Sequence, residues 1–227
     1  MGNPKARRYM ERWGLVNAVH SAMAWRLRQS LGLHVYGIYM RPLHMPTAEP
    51  PAEKQGYTHR LFEPADVDVL LGCIGNPELR LDEAFVRTAF AKGDACSAVF
   101  HGTRLVSYHW MAFSPTHDCA GVYVDFGPKH RYAYNAFTLA EFRGHHVTRL
   151  FNARSDAYCL RRGRLSTIAF IATDNRASIR SALGIGYRRI GFAGFLKLGP
   201  LFLPFRSAGV KSEGFRLFVP SAPRAAA

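Results

Sequence analysis

The stretch YAYNAFTLAEFRGHHVTRLF, Tyr132 to Phe151, decides the reading of this chain. Its first half is rich in aromatic and small apolar residues, as a strand is, and the strand is expected over Tyr132 to Leu139. Strict alternation would set Tyr132, Tyr134, Ala136 and Thr138 on one face and Asn135, Phe137 and Leu139 on the other. A short turn carrying Arg143 and Gly144 follows, and the pattern then becomes helical, with Val147, Leu150, Phe151, Ala157 and Tyr158 on one face of a helix over Val147 to Arg162. The first N–H groups of a helix have no intrahelical partner and carry partial positive charge. A strand, a glycine-bearing turn and a helix in direct succession therefore make a cradle for phosphate, with Arg143 adding charge at its mouth.

Outward from this stretch, strands and helices interleave. Downstream, Leu165 to Ala172 is a near-continuous apolar run, the mark of a strand covered on both faces. Asn175 to Leu183 reads as a short helix, ended by Gly184-Ile185-Gly186, and Tyr187 to Phe195 as a strand. Residues 199–220 are apolar segments broken by Pro and Gly and are expected to form one more hairpin. Upstream, Tyr57 to Phe62 and Gly121 to Phe126 read as strands, Glu63 to Leu71 and Leu81 to Ala91 as helices. Ala95 to His101 and Arg104 to Phe113 alternate around His101-Gly102 as a hairpin does. The aromatics Tyr108, Trp110, Phe113, Tyr123 and Phe126 belong to the core on the plainer reading, and to an apolar slot for a long chain on the functional one. The whole is α/β, a mixed sheet flanked by helices.

The N-terminal region adds an amphipathic helix over residues 4–31, with Tyr9, Trp13, Val16, Val19, Met23 and Leu27 at steps of three and four. Packing on the core is the favoured reading of that stripe, and contact with an anionic membrane surface the alternative. Leu33 to Leu43 reads as a strand stopped by Pro42, and Pro46 to Gln55 as a linker. The expected divisions are residues 1–55 as N-terminal helix, strand and linker, 56–220 as the main domain, and 221–227 as a disordered tail.

Composition narrows the function classes. The 227 residues are 48% hydrophobic and 20% charged, which suits one globular domain with an extension. Thirty Lys and Arg against sixteen Asp and Glu leave a formal charge of +14. Such a field attracts polyanions, among them phosphorylated cofactors, anionic lipid, acidic carrier proteins and nucleic acid. Nucleic acid is the weakest of these, because no zinc-finger spacing, ribonucleoprotein motif or recognition helix is present. Cys73, Cys96, Cys119 and Cys159 form no CxxC pair and are expected as free, buried thiols. No P-loop, Gly-x-Ser-x-Gly or His-Glu-x-x-His motif occurs, and adjacent His145-His146 lack the spacing that sets two ligands on one helix face, so no metal is expected. Trp13 to Trp25 is too polar and too short for a signal-peptide core or a membrane span, and the expected location is cytoplasmic.

Two blocks of the chain resemble the GNAT superfamily of acyltransferases. Leu139-Ala140-Glu141-Phe142-Arg143-Gly144 is similar to the end of the strand and the phosphate turn of that family's motif A. Thr173-Asp174-Asn175-Arg176-Ala177-Ser178, followed by Leu183-Gly184-Ile185-Gly186-Tyr187, resembles its next block, in which an Asn opens a helix beside the pantetheine arm. The resemblance covers roughly residues 57–195. It implies the GNAT acyl-CoA N-acyltransferase fold, and acetyl-CoA or a longer acyl-CoA as donor, with an acyl-carrier protein as an alternative carrier. It implies donor contacts from Thr138, Leu139, Arg143, Gly144, His145, His146, Val147, Thr148, Asn175 and Ser178. The acceptor would be an amine on a small molecule or peptide. His146 and Thr148 stand where the family usually has Gly and Gly or Ala. The family's carboxylate and tyrosine align with Asn135 and Ala182, neither of which can move a proton. The remaining acid–base candidates are Tyr134, His130 and Asp125, with Tyr132 beside them, and a structural role is the plainer reading of each. A binding module on the same fold, lacking turnover, is the second hypothesis.

Overall fold

The computed structural model describes residues 10–45, 56–117, 121–144, 147 and 152–220. In chain order the elements are helix α1 (Leu15–Leu31), strands β1 (Leu33–Pro42) and β2 (Tyr57–Phe62), helices α2 (Val67–Leu71) and α3 (Glu83–Ala91), then strands β3 (Ala95–His101), β4 (Arg104–Ala112), β5 (Thr116–His117), β6 (Tyr123–Asp125) and β7 (His130–Thr138). Helix α4 (Asn152–Arg161), strand β8 (Ser166–Ala172), helix α5 (Arg176–Gly184), strands β9 (Arg188–Leu198) and β10 (Leu201–Arg206), helix α6 (Ala208–Ser212) and strand β11 (Arg216–Phe218) complete the chain. The expected linker over 46–55, the tail over 221–227, Cys119 and residues 148–151 at the start of the expected helix lie outside the described residues.

The chain divides into two compact units. One comprises residues 41–115 and 126–169, the other 1–40, 116–125 and 170–227. In the first unit β2, β3, β4 and β7 are antiparallel neighbours, and β7 and the start of β8 run parallel, so the sheet is mixed. Its main core lies under α2 and α3, where Phe62, Leu70, Val86, Phe90, Val99, Val106 and Trp110 are all buried together. Burying such a set removes several hundred square ångströms of apolar surface from water, at about 25 cal/mol per Å². Helix α3 starts where it does because Asp82 accepts a 2.7 Å bond from the Phe85 N–H. Tyr108 and Trp110 belong to this core, and the Tyr108 hydroxyl donates to the Leu79 carbonyl at 2.7 Å.

In the second unit β1, β9 and β10 form an antiparallel sheet, with Leu33, Leu196 and Leu203 in one row across it. Residues 199–220 do more than the expected hairpin: β10 pairs with β9, but α6 follows, and β11 pairs with β6 rather than with β10. Arg216 then holds Asp125 across that pair at 2.8 Å. The apolar run of β8 is also less covered than expected, buried at Ser166 to Ile168 and half-buried from Ala169 on.

Helix α1 departs from its expected packing. Gly14, at φ 82°, breaks it from the helical residues 10–13, and none of its side chains is fully buried. Trp13, Asn17, Ala18, His20, Ser21, Ala24, Leu27 and Arg28 are the half-buried positions, while Val16, Val19 and Met23 face solvent. At 3.6 residues per turn these three lie about 80–160° round the helix from residues 17 and 24, so one face cannot hold the whole expected stripe. The inward face is fixed instead by polar contacts, chiefly Arg28 to Asp174 at 3.3 Å and the Arg180 guanidinium 4.8 Å from the Trp13 ring centre. Gly32 ends the helix in the left-handed region, and a Cβ there would meet the Lys197 carbonyl at 2.2 Å, so glycine is required.

Candidate functional site

Strand β7 is interrupted in the middle. Tyr134 stands opposite Trp110 and Phe137 opposite Tyr108, so three steps on β7 match two on β4. The extra residue makes a bulge, and Asn135 takes φ 43° to form it. Asparagine is among the few residues that tolerate this region at small cost. The bulge overturns the alternation expected for this strand. Tyr134 and Phe137, assigned to opposite faces, both pack against the α2/α3 core, while Asn135 and Ala136 are exposed.

The other edge of β7 is open over the same stretch. The parallel ladder with β8 joins His130 to Ser166, Arg131 to Thr167 and Tyr132 to Ile168, and stops there, while β7 runs on to Thr138. Beyond it, Leu139 is buried with its N–H on the Val106 carbonyl, and residues Ala140–Phe142 make a 3-10 turn. Arg143 is exposed; it donates from Nε to the Thr138 carbonyl at 3.0 Å, and its guanidinium carbon lies 5.8 Å from the Phe137 ring centre. Gly144 has φ 87°, and among the described residues no atom lies within 4 Å of where a Cβ would be, so it turns the chain without crowding them. Thr138 shares a 2.7 Å bond with Ser107, and Val147 is buried. His145, His146 and Thr148 lie outside the described residues.

The acid–base candidates part company here. The Tyr134 hydroxyl donates a 2.6 Å bond to Asp94, which also lies 3.2 Å from the Lys92 ammonium. Burial pushes the Asp94 carboxyl above its ordinary range, and the bonds from Tyr134 and Lys92 pull it partly back. Lys92 and Asp94 escaped the sequence reading, because nothing in a Lys-Gly-Asp turn points to a tyrosine forty residues on. His130 is buried, with Nδ1 against the Ser166 hydroxyl. Asp125, Asn175 and Ser178 belong to the other compact unit. There Asp125 is engaged by Arg216, and Asn175 caps α5 by accepting from the Ser178 N–H at 3.2 Å. Ala182 is buried on the same helix. Among the described residues no group of three or more His, Cys, Asp or Glu could hold a metal. Cys73, Cys96 and Cys159 are free thiols, Cys73 only half-buried. No helix is long and apolar enough to cross a membrane, again among the described residues.

Beside β7 lies a buried network of charges. Arg41 grips Asp156 through two 2.7 Å bonds, Arg131 reaches the same carboxylate at 3.9 Å, and Arg131 also lies 3.2 Å from the His109 Nε2. Burial, and then Arg131, hold His109 neutral by lowering its pKa well below the usual value, so its ring nitrogen accepts from the guanidinium.

Solved structures of acetyltransferases resemble the chain. The structure of an aminoglycoside acetyltransferase from an uncultured soil metagenomic sample, in complex with sisomicin, matches 57% of this chain and 87% of its own, at 7% identity and a TM-score of 0.44. A tandem GNAT protein from the clavulanic acid biosynthesis pathway matches 80% of this chain at 16% identity and a TM-score of 0.48, and the match spans 57% of that protein. Aminoglycoside N-acetyltransferase AAC(6')-Iy, in complex with CoA, matches 58% of this chain and 92% of its own, at 12% identity and a TM-score of 0.44. No protein-family model and no curated protein matches the sequence.

Proposed function

We propose that the chain is a GNAT-type acyltransferase that moves an acyl group from acyl-CoA to an amine. The observation that carries this reading is the form of β7: a strand freed from its parallel neighbour after Tyr132, bulged at Asn135, and running into a turn made by Arg143 and Gly144. A freed strand edge offers backbone donors to a thioester carbonyl, and such donors stabilise the charge that develops on its oxygen. Arg143 supplies a cation for the donor's phosphates, and Gly144 the room for them. The donor is acetyl-CoA or a longer acyl-CoA, a carrier protein being the alternative source. The acceptor is an amine on a small molecule or peptide.

Of the three acid–base candidates, Tyr134 is the best supported. It adjoins the bulge, and its hydroxyl carries a proton that the Asp94 carboxylate orients. In this role it returns a proton to the departing thiolate. His130 and Asp125 are occupied by Ser166 and Arg216. The test is thiol release from a panel of acyl-CoAs with mixed amines, alongside calorimetric CoA binding. Absence of both would overturn the proposal. Binding without thiol release would favour the second reading, a CoA-binding module, which Asn135 and Ala182 motivate.

A further inference from the structure

Helix α1 and the β9–β10 hairpin expose apolar side chains that the fold does not use. On α1, Leu15, Val19 and Ala22 follow one line at steps of four and three, and Val16 and Met23 lie beside it. Val16 is 81% exposed, Val19 57% and Met23 55%. Arg26 continues the line one turn further on, and Trp25 is exposed at its flank. The helix thus turns its more polar face inward and its apolar face to water.

The hairpin presents a second patch. Leu198 pairs with Leu201 around a two-residue Gly199-Pro200 turn, with Gly199 at φ 56° as a primed turn demands. Leu198, Leu201 and Leu203 are each about half exposed, and so is Leu31 at the end of α1. These patches share one end of one sheet. Gly32 follows Leu31 directly and takes the Lys197 N–H on its carbonyl at 3.1 Å, and Leu33 stands opposite Leu196.

Cations predominate in this part of the sequence: residues 1–40 hold six Lys and Arg (Lys5, Arg7, Arg8, Arg12, Arg26 and Arg28) and one acid, Glu11. Among the described residues Arg12 and Arg26 are exposed, Arg28 is paired with Asp174, and the exposed Lys197 sits next to the hairpin tip. An apolar stripe with a tryptophan at its flank, an apolar hairpin tip and an excess of cations match the two terms by which a protein lies on a bilayer: shallow apolar insertion and attraction to anionic headgroups. We infer that α1 and the β9–β10 tip dock the protein on an anionic membrane surface, without spanning it.

The inference is independent of acyl transfer, and its test is separate. The full chain would be co-sedimented with vesicles of phosphatidylcholine alone, and of phosphatidylcholine mixed with phosphatidylglycerol, at low and high salt. Binding is expected to the mixed vesicles, at least about ten-fold weaker to the neutral ones, and released by high salt. The variants Val19→Glu/Met23→Glu and Leu198→Glu/Leu201→Glu are each expected to lose about ten-fold or more of that binding, with an unchanged melting curve, because the replaced side chains are already in water. No binding, equal binding to both vesicle types, or wild-type binding by both variant pairs would overturn it. So would a dimer in vesicle-free solution that Val19→Glu/Met23→Glu dissolves, since a second copy would then be what covers the stripe.

Discussion

Replacing Asp156 by asparagine removes the one carboxylate that two buried guanidinium groups share. Its side chain is 3% exposed, against 7% for Arg41 and 2% for Arg131. Arg41 spends two 2.7 Å bonds on it, and the His44 N–H donates to it at 3.4 Å. Breaking a buried pair by removing one partner costs about 3–5 kcal/mol, because the other charge stays desolvated without its counter-charge. The upper part of that range is expected here, since two cations lose compensation. The amide oxygen retains one bond from Arg41, which offsets about 1 kcal/mol. For a chain of this size each kcal/mol moves Tm by about 2–4 °C, so the net loss of about 3–4 kcal/mol should lower it by about 6–16 °C by calorimetry. The double variant Arg41→Met/Asp156→Leu tests the cause. It removes the carboxylate together with the cation that grips it, leaving only Arg131, 3.9 Å away, without its counter-charge, and should recover part of the loss, because apolar replacement of a buried pair is often neutral. An Asp156→Asn protein within about 1 kcal/mol of wild type, or a double variant no better than the single, would refute the electrostatic account.

Other expectations follow from the same structure. Tyr134→Phe should lower kcat by about a hundred-fold or more while CoA affinity by calorimetry stays unchanged, and equal kcat would remove Tyr134 from the chemistry. Burial, and then Arg154, depress the His59 pKa from 6.5 to about 4. Between those values the unfolded chain binds a proton that the folded one refuses, so this contribution to stability is complete above pH 6.5 and drains away as pH falls toward 4. Urea melts at pH 7.5 and 4.5 should show it, and His59→Gln should reduce the difference, leaving the shares due to His109 and His34, whose pKa values burial also lowers. Asn175→Ala removes the cap on α5 and should cost about 1 kcal/mol in the same assay; no change would mean that the bond to Ser178 contributes nothing.

Where neighbours along the chain decide the conformation, the sequence was legible. Strands β2, β3, β4, β9 and the α3 helix fall within a few residues of their patterns, and Asn175 caps its helix where an Asn before an apolar-periodic stretch should. The Arg143-Gly144 turn lies at the end of its strand as read. What the pattern concealed was non-local. Lys92, Asp94 and Tyr134 meet only because β3 and β7 flank β4, and Arg41, Arg131 and Asp156 come together from three distant segments. The α1 stripe misled for a different reason: apolar spacing identifies one face of a helix, but Arg28 and Trp13, with partners in α5 and just before it, decide which face turns inward.

The bulge at Asn135 divides β7 into two half-strands that are out of step by one residue. Up to Tyr134 the side chains keep the beat set by β4, shared with β8 as far as Tyr132, and from Phe137 they keep the one resumed with β4 alone. Deleting Asn135 would set Phe137 two places after Tyr134, just as Tyr108 is two places from Trp110, so both side chains would keep their face while the bulge and its left-handed residue disappeared. The core therefore does not depend on the extra residue, whose effect is to bend the strand just past the point where the β8 ladder stops.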